Sequence, residues 1–151
     1  MKTKLFLTAF LVVTILSVVS CTSTQEQSTP DKVSLELSTD YFTHVNAVTR
    51  EVEVAKGGTI TITLGSNQTT GFQWSELAQI GDATIMEQTS HEYVALEAES
   101  GAEVMGAPGK EEWTFKALKS GTTTISMEYS RPWENGEKGV WKFSLTVTVK
   151  P

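Results

Sequence analysis

Few side chains in this sequence of 151 residues could do covalent or acid–base chemistry. It holds one cysteine, Cys21, and two histidines, His44 and His91, that stand apart from each other. A nucleophile needs a general base within hydrogen-bond reach, and a zinc site needs a closed set of nitrogen and sulfur ligands. Neither is on offer, so the sequence argues against an enzyme, and no metal or cofactor is expected. Glu97, Glu99, Glu103, Glu111 and Glu112 are dense enough to raise calcium, but glutamates scattered over a loop are ordinarily just solvated. What remains is the chemistry of recognition. The polar turn Ser66-Asn67-Gln68-Thr69-Thr70-Gly71 carries no ionisable group, and its hydroxyls, amides and glycine suit a surface that presents backbone to a partner. Two further stretches break the pattern around them: Gly106-Ala107-Pro108-Gly109 and Arg131-Pro132-Trp133.

The elements that must hold these stretches read as strands. Ile60, Ile62 and Leu64 alternate with threonines before the first turn, and Phe72 and Trp74 alternate with Gln73 and Ser75 after it. Val33, Leu35 and Leu37 suggest a short first strand, and Val48, Val52 and Val54 a second that turns at Lys56-Gly57-Gly58. A weakly patterned strand covers 87–96. Trp113, Phe115 and Ala117 share a face, as do Ile125, Met127 and Tyr129, and residues 141–149 give the cleanest alternation. No window has a convincing helical period, and no internal repeat is visible. About seven to eight short strands with turns between them predict an all-β, immunoglobulin-like antiparallel β-sandwich. If consecutive strands run up and down, alternate connections share an end. The loops at 66–71, 97–110 and 131–138 then cluster at one end, and the plainer links at 55–58, 78–88 and 119–121 at the other. Loops held by a rigid scaffold are where recognition is usually placed.

The N-terminal stretch reads as a targeting signal. Lys2 and Lys4 precede an apolar run over 5–19, too short and too early to be favoured as a permanent membrane span. It ends in Val18-Val19-Ser20-Cys21, which resembles the bacterial lipobox, in which cleavage leaves the cysteine first and its thiol takes a lipid. The expected organisation is a signal peptide over 1–20, a lipidated disordered tether over 21–32 and one domain over 33–151. Membrane contact would come only through the lipid on Cys21, and the protein is expected in the bacterial cell envelope. The tether lacks aliphatic side chains from residue 22 to 32. A lone cysteine cannot close an internal disulfide, so stability must come from the core of about 130 residues. With 12 basic and 18 acidic residues the formal net charge is −6, and loss of Lys2 and Lys4 makes it more negative still. That argues against nucleic acid as a partner and for a soluble, acidic surface.

Taken together, Asn67-Gln68-Thr69-Thr70-Gly71, Gly106-Ala107-Pro108-Gly109 before an aromatic strand, and Arg131-Pro132-Trp133 resemble the three signature loops of the chagasin family of cysteine protease inhibitors. Each motif alone is weak; their order on alternate connections, with Trp74 after the first, makes the signal specific. The resemblance covers about 33–150. It implies an immunoglobulin-like fold and reversible, non-covalent blockade of papain-like cysteine proteases by a monomer. Asn67, Thr69, Thr70 and Gly71 would form the central wedge over the catalytic cysteine. Gly106, Ala107, Pro108 and Gly109 would form one flank, and Arg131, Pro132 and Trp133 the other. Gln68 departs from the pattern, since the family commonly has proline there. Glutamine frees the φ angle, so the wedge is expected to be less preorganised, at a cost on the order of 0.5–1 kcal/mol.

Trp133, beside a proline at a loop tip, is the expected energetic anchor, since tryptophan is enriched among interface hot spots. Trp74, Trp113 and Trp141 are expected to fold onto the sandwich. Arg131 either meets a carboxylate of the partner or pairs with Glu134. A second reading is an adhesion or carbohydrate-binding module, which would be favoured if Trp133 and another tryptophan lay coplanar on a sheet face and not at a loop end.

Overall fold

The alternating runs become strands because each buries one face. In the computed structural model, which describes residues 28–95 and 106–151, the order is β1 (Lys32–Leu37), α1 (Thr39–His44), β2 (Ala47–Ala55), β3 (Thr59–Ser66), β4 (Gln73–Trp74), β5 (Gln79–Ile80), β6 (Met86–Val94), β7 (Gly109–Ala117), β8 (Gly121–Ser130) and β9 (Trp141–Lys150). The expected export signal, Cys21, most of the expected tether and Glu97, Glu99 and Glu103 lie outside the described residues. The tether's last residues do not stand off: the Pro30 and Asp31 carbonyls accept from Ala55 N–H and Thr59 N–H, at 2.9 and 2.8 Å.

One sheet has the order β1-β3-β7-β6 and the other β2-β9-β8-β4, with β5 also on β8. Ile60, Ile62 and Leu64 of β3, Trp113 and Phe115 of β7, Ile125 and Met127 of β8, and Phe143, Leu145 and Val147 of β9 fill the space between them. Each such side chain contributes about 1.5–3 kcal/mol by leaving water. The immunoglobulin-like, all-β architecture matches expectation, with nine strands among the described residues.

Three features differ from the sequence reading. The sheets are mixed: β1 pairs parallel with β3, and β2 parallel with β9. The up-and-down course survives, because each parallel pair joins strands that travel the same way and are not consecutive. Second, β5 lies inside the stretch expected to be a plain link. Third, α1 is a helix of six residues, too short to display a period. It is held by Phe42, fully buried between Trp74 and Trp141 at ring distances of 5.1 and 5.4 Å.

The course of the strands defines two poles. Ser66 is registered with Gly109, Gln73 with Ser130, and Ala47 with Lys142, so the ends of these strands meet at one pole with α1. At the other, Gly57 N–H donates to Ala117 O (2.9 Å) and Leu118 N–H to Ile85 O (2.8 Å), drawing the remaining links together. β1 starts and β9 ends at this second, plain pole.

Candidate functional site

The loop pole is built on strand ends that obey the period of two further than the sequence reading took it. Ser66 has the parity of Ile62 and Leu64, and Glu111 the parity of Trp113 and Phe115, so both point inward. Glu111 is 1% exposed. Its Oε1 accepts from Ser66 Oγ (2.7 Å) and from Trp74 N–H (3.0 Å), while Oε2 lies 3.0 Å from His91 Nε2. This carboxyl, counted above among solvated glutamates, instead clamps β3, β6 and β7 of one sheet to β4 of the other at the foot of the first loop. His91 is a strand residue, 17% exposed and stacked on Trp113 at 4.8 Å. Inward parity was the signal that could have found Glu111, had β7 been started before Trp113.

Above that clamp the first loop is tied by its own side chains. Asn67 Oδ1 accepts from Thr69 N–H (3.2 Å) and Thr69 Oγ1 (2.6 Å), and so caps a single 3-10 turn over Gln68–Thr70. Thr70 Oγ1 donates back to Asn67 O (2.7 Å), and Gly71 N–H to Gln68 O (2.9 Å). Asn67 N–H is held by the Tyr129 hydroxyl at 2.9 Å. Gln68, Thr69 and Thr70 are exposed at the crest. Gln68 is the first residue of the turn, where a proline's missing N–H costs least. The internal bonds supply order that a proline would otherwise lend.

Gly71 is required twice. Its φ is +80°, and a Cβ built there would lie 2.5 Å from Cη2 of Trp133. The Trp133 ring therefore lies against the first loop while remaining 51% exposed, which places the expected anchor at the pole without burying it. Arg131 makes no ion pair with Glu134 among the described residues. Its guanidinium stands 4.4 Å from the Phe72 ring centre and 5.8 Å from that of Trp133. Pro132 is exposed beside them. Lys138 ties the third loop by donating to Arg131 O (2.5 Å) and Trp133 O (3.0 Å).

Of the second loop, Gly106 has φ +79°, Ala107 and Pro108 follow, and Gly109 opens β7 opposite Ser66. Gly109 also passes so near Tyr93 and the Val94 carbonyl that a Cβ would fall 2.5 Å from each. Pro108 shares a hollow of about 440 Å³ with Asn67, Thr70 and Phe72 of the first loop, Glu137 and Val140 of the third, and Thr39 of α1. All three expected stretches are thus brought side by side. Beneath them Phe72, Tyr129, Trp141 and Phe42 follow one another near-parallel, with interplanar angles of 21°, 9° and 24°.

The arrangement is equipped to occlude. The crest carries hydroxyl, amide and backbone groups with no ionisable side chain, and the flanks carry an aromatic and a cation. Among the described residues no three His, Cys, Asp or Glu side chains gather as metal ligands do. The tryptophan platform of a sugar-binding module is absent among the described residues: Trp74 and Trp113 are buried, Trp141 is half-buried under Tyr129, and Trp133 stands at a loop tip.

A family profile described as chagasin family peptidase inhibitor matches residues 53–147, a span that contains all three loops. Amoebiasin-2 of Entamoeba histolytica is 33% identical over 91 residues, which is 60% of this chain and 70% of that protein. The crystal structure of a cysteine protease inhibitor from Entamoeba histolytica superposes with a TM-score of 0.56 at 27% identity, over 80% of this chain and 99% of that one. PbICP-C, solved in complex with falcipain-2, gives a TM-score of 0.56 at 19% identity over 78% and 98% of the two chains, a likeness of fold. With its fold, its three converging loops and most of its strands inside the matched span, the chain belongs to the chagasin family of peptidase inhibitors, proteins that block peptidases and are not enzymes themselves.

Proposed function

We propose that this protein is a reversible, non-covalent inhibitor of papain-like cysteine proteases, and that Asn67, Gln68, Thr69, Thr70 and Gly71 enter the active-site groove while Gly106 to Gly109 and Arg131 to Trp133 grip its walls. The observation that carries this reading is the convergence of three separately encoded loops at one pole, with the first tied into a turn. An inhibitor in a protease groove must avoid being cut. Cleavage requires the scissile carbonyl to meet the nucleophile in near-attack geometry. A 3-10 turn bounded by a left-handed glycine does not run extended as a substrate does, and its internal bonds resist being straightened. They also limit the ordering entropy lost on binding.

The test is titration of papain and cathepsin-type enzymes with the purified protein, alongside Trp133→Ala. Tight, reversible, dilution-sensitive inhibition is expected. The Trp133 ring covers Gly71 and is half in water, so its loss should weaken inhibition by about 1–3 kcal/mol with little change in melting temperature. Full papain activity at saturating inhibitor would sink the proposal, and a large fall in melting temperature would assign the ring to the core.

We further propose that the protein is a monomer held in the bacterial cell envelope by a lipid on Cys21. The sole cysteine at the end of an apolar export signal supports this. Cys21→Ser should move the protein from the membrane fraction to the soluble one; retention in the membrane would rule the anchor out.

A further inference from the structure

The three loops do not exhaust the pole. Residues 39–46 cross from β1 in one sheet to β2 in the other at the same end of the sandwich, and no expected role falls on them. Thr39 lines the hollow shared with Asn67, Thr70, Phe72 and Pro108. The Asn46 carbonyl accepts from Lys142 N–H (2.9 Å), one residue past the start of β9 where the third loop ends. Phe42 ends the ring succession that begins under Arg131. This segment is therefore built into the same rigid body as the loops.

Two large side chains of this segment, Tyr41 and Val45, are exposed among the polar Asp40, Thr43, His44 and Asn46. Tyr41, in the helix, is 43% exposed and Val45, the extended residue that ends it, 41%, while Phe42 turns inward. Six large apolar side chains are exposed among the described residues: Tyr41, Val45, Val94 and Trp133 stand at the loop pole, Leu118 at the plain pole, and Leu77 beside the middle of β8. Tyr41 is also fixed in place. Arg50 of β2 donates from Nη2 to its hydroxyl at 2.6 Å, and the guanidinium lies 5.3 Å from the ring centre. Phe72 and Trp133 likewise have a guanidinium near the ring, that of Arg131. An exposed aromatic held in one orientation loses little side-chain entropy when it is covered.

We infer that residues 39–46 form a fourth arm of the inhibitory edge, with Tyr41 and Val45 packing on an apolar part of the protease surface beyond the groove that the three loops fill. The inference rests on the inhibitor reading above and deepens it. A groove shaped by one catalytic chemistry is similar across a protease class, whereas the surface outside it is not. The fourth arm is then a determinant of which protease is held, and the three loops of whether any is.

The experiment compares inhibition constants of the unaltered protein, Tyr41→Ala/Val45→Asp, Tyr41→Phe and Trp133→Ala on a panel of papain-like proteases, with melting temperature measured for each. The double variant should bind about tenfold more weakly on at least one protease and unequally across the panel, at unchanged melting temperature. Tyr41→Phe keeps the ring but loses the bond from Arg50, and should show a smaller loss on the same enzymes. If Trp133→Ala weakens inhibition while the double variant stays within twofold on every protease, the fourth arm is refuted and the three-loop reading stands. If none of the proteases is inhibited by the unaltered protein, the three-loop reading itself fails. A dimer that the double variant dissolves, with inhibition constants unmoved, would give Tyr41 and Val45 to a second copy and refute the arm as well.

Discussion

Asn67 and Asp82 perform the same local task at opposite poles. Asp82 Oδ1 accepts from Thr84 N–H (2.8 Å) and Thr84 Oγ1 (2.7 Å), just as Asn67 Oδ1 accepts from Thr69 N–H and Oγ1. In each case an acid or amide bonds to the residue two positions on, and the backbone turns. The difference is charge. The Asp82 carboxyl is held below the usual range by its hydrogen bonds to Thr84, with Lys119 adding to them, and it stays in water. Asn67 keeps the geometry without the charge. A neutral crest can be desolvated in a groove, whereas a carboxylate would bring the cost of leaving water with it.

The surroundings of the two turns differ in the same sense. At the plain pole backbone meets backbone: Lys56 N–H donates to Lys150 O and Ala117 N–H to Gly58 O. At the loop pole Glu111 and Tyr129 prop the first loop from beneath, Lys138 ties the third from within, and the crest is left free. One pole closes the sandwich and the other holds a surface ready.

Removing a prop should have the largest effect. Glu111→Ala leaves the Ser66 hydroxyl and the Trp74 N–H without their buried acceptor, at a cost of about 3 kcal/mol in folding stability. Denaturant unfolding should show that loss, and inhibition should weaken with it. Unchanged stability would mean that the clamp between the sheets contributes nothing. Gly71→Ala comes next: the left-handed backbone alone costs about 1–2 kcal/mol, and the new methyl must displace Trp133. In a cycle with Trp133→Ala the two losses should be less than additive, because the clash vanishes with the ring. Strict additivity would show that the third loop does not brace the first.

Asn67→Asp converts the crest into the plain pole's version of the turn. Folding should hold, while inhibition at neutral pH weakens about tenfold and recovers as acid protonates the carboxyl. Equal inhibition at neutral pH would show that the absence of charge is immaterial. The reverse change, Asp82→Asn, should leave inhibition untouched and alter only the pH dependence of stability. Asp82 has a folded pKa below its unfolded value of about 3.9, so its contribution is full above that value and fades as pH falls through the folded pKa. The variant should lack that fade, and an unaltered acid limb of the stability curve would discount the turn.

Much of this was legible in the sequence because period two is a local signal. It placed the strands from 48 to 149 other than β5, the alternation of the poles and the three loops. It did not show that β1 pairs parallel with β3 and β2 parallel with β9, since pairing partners are chosen between strands far apart in sequence and no local pattern encodes them. α1 escaped because six residues span fewer than two turns, although Asp40 in its first turn and His44 in its last suit a helix. Glu111 was misread by composition: its neighbours in sequence are charged, but its neighbours in space are Ser66, Trp74 and His91. The pairing of Arg131 with Phe72, and not with Glu134, followed from the turn of the third loop, which only coordinates reveal.

Under the proposed lipid anchor, the place where β1 begins would bear on which way this protein faces. Lys32 lies at the plain pole, opposite the loops, and the stretch from Cys21 to Pro30 can reach at most roughly 30 Å even when drawn straight. If the proposed lipid on Cys21 moors the domain there, its occluding edge would lie on the side away from the bilayer. A passing protease would meet that edge without the domain having to turn over, and the side kept toward the membrane is the one where backbone has already closed on itself.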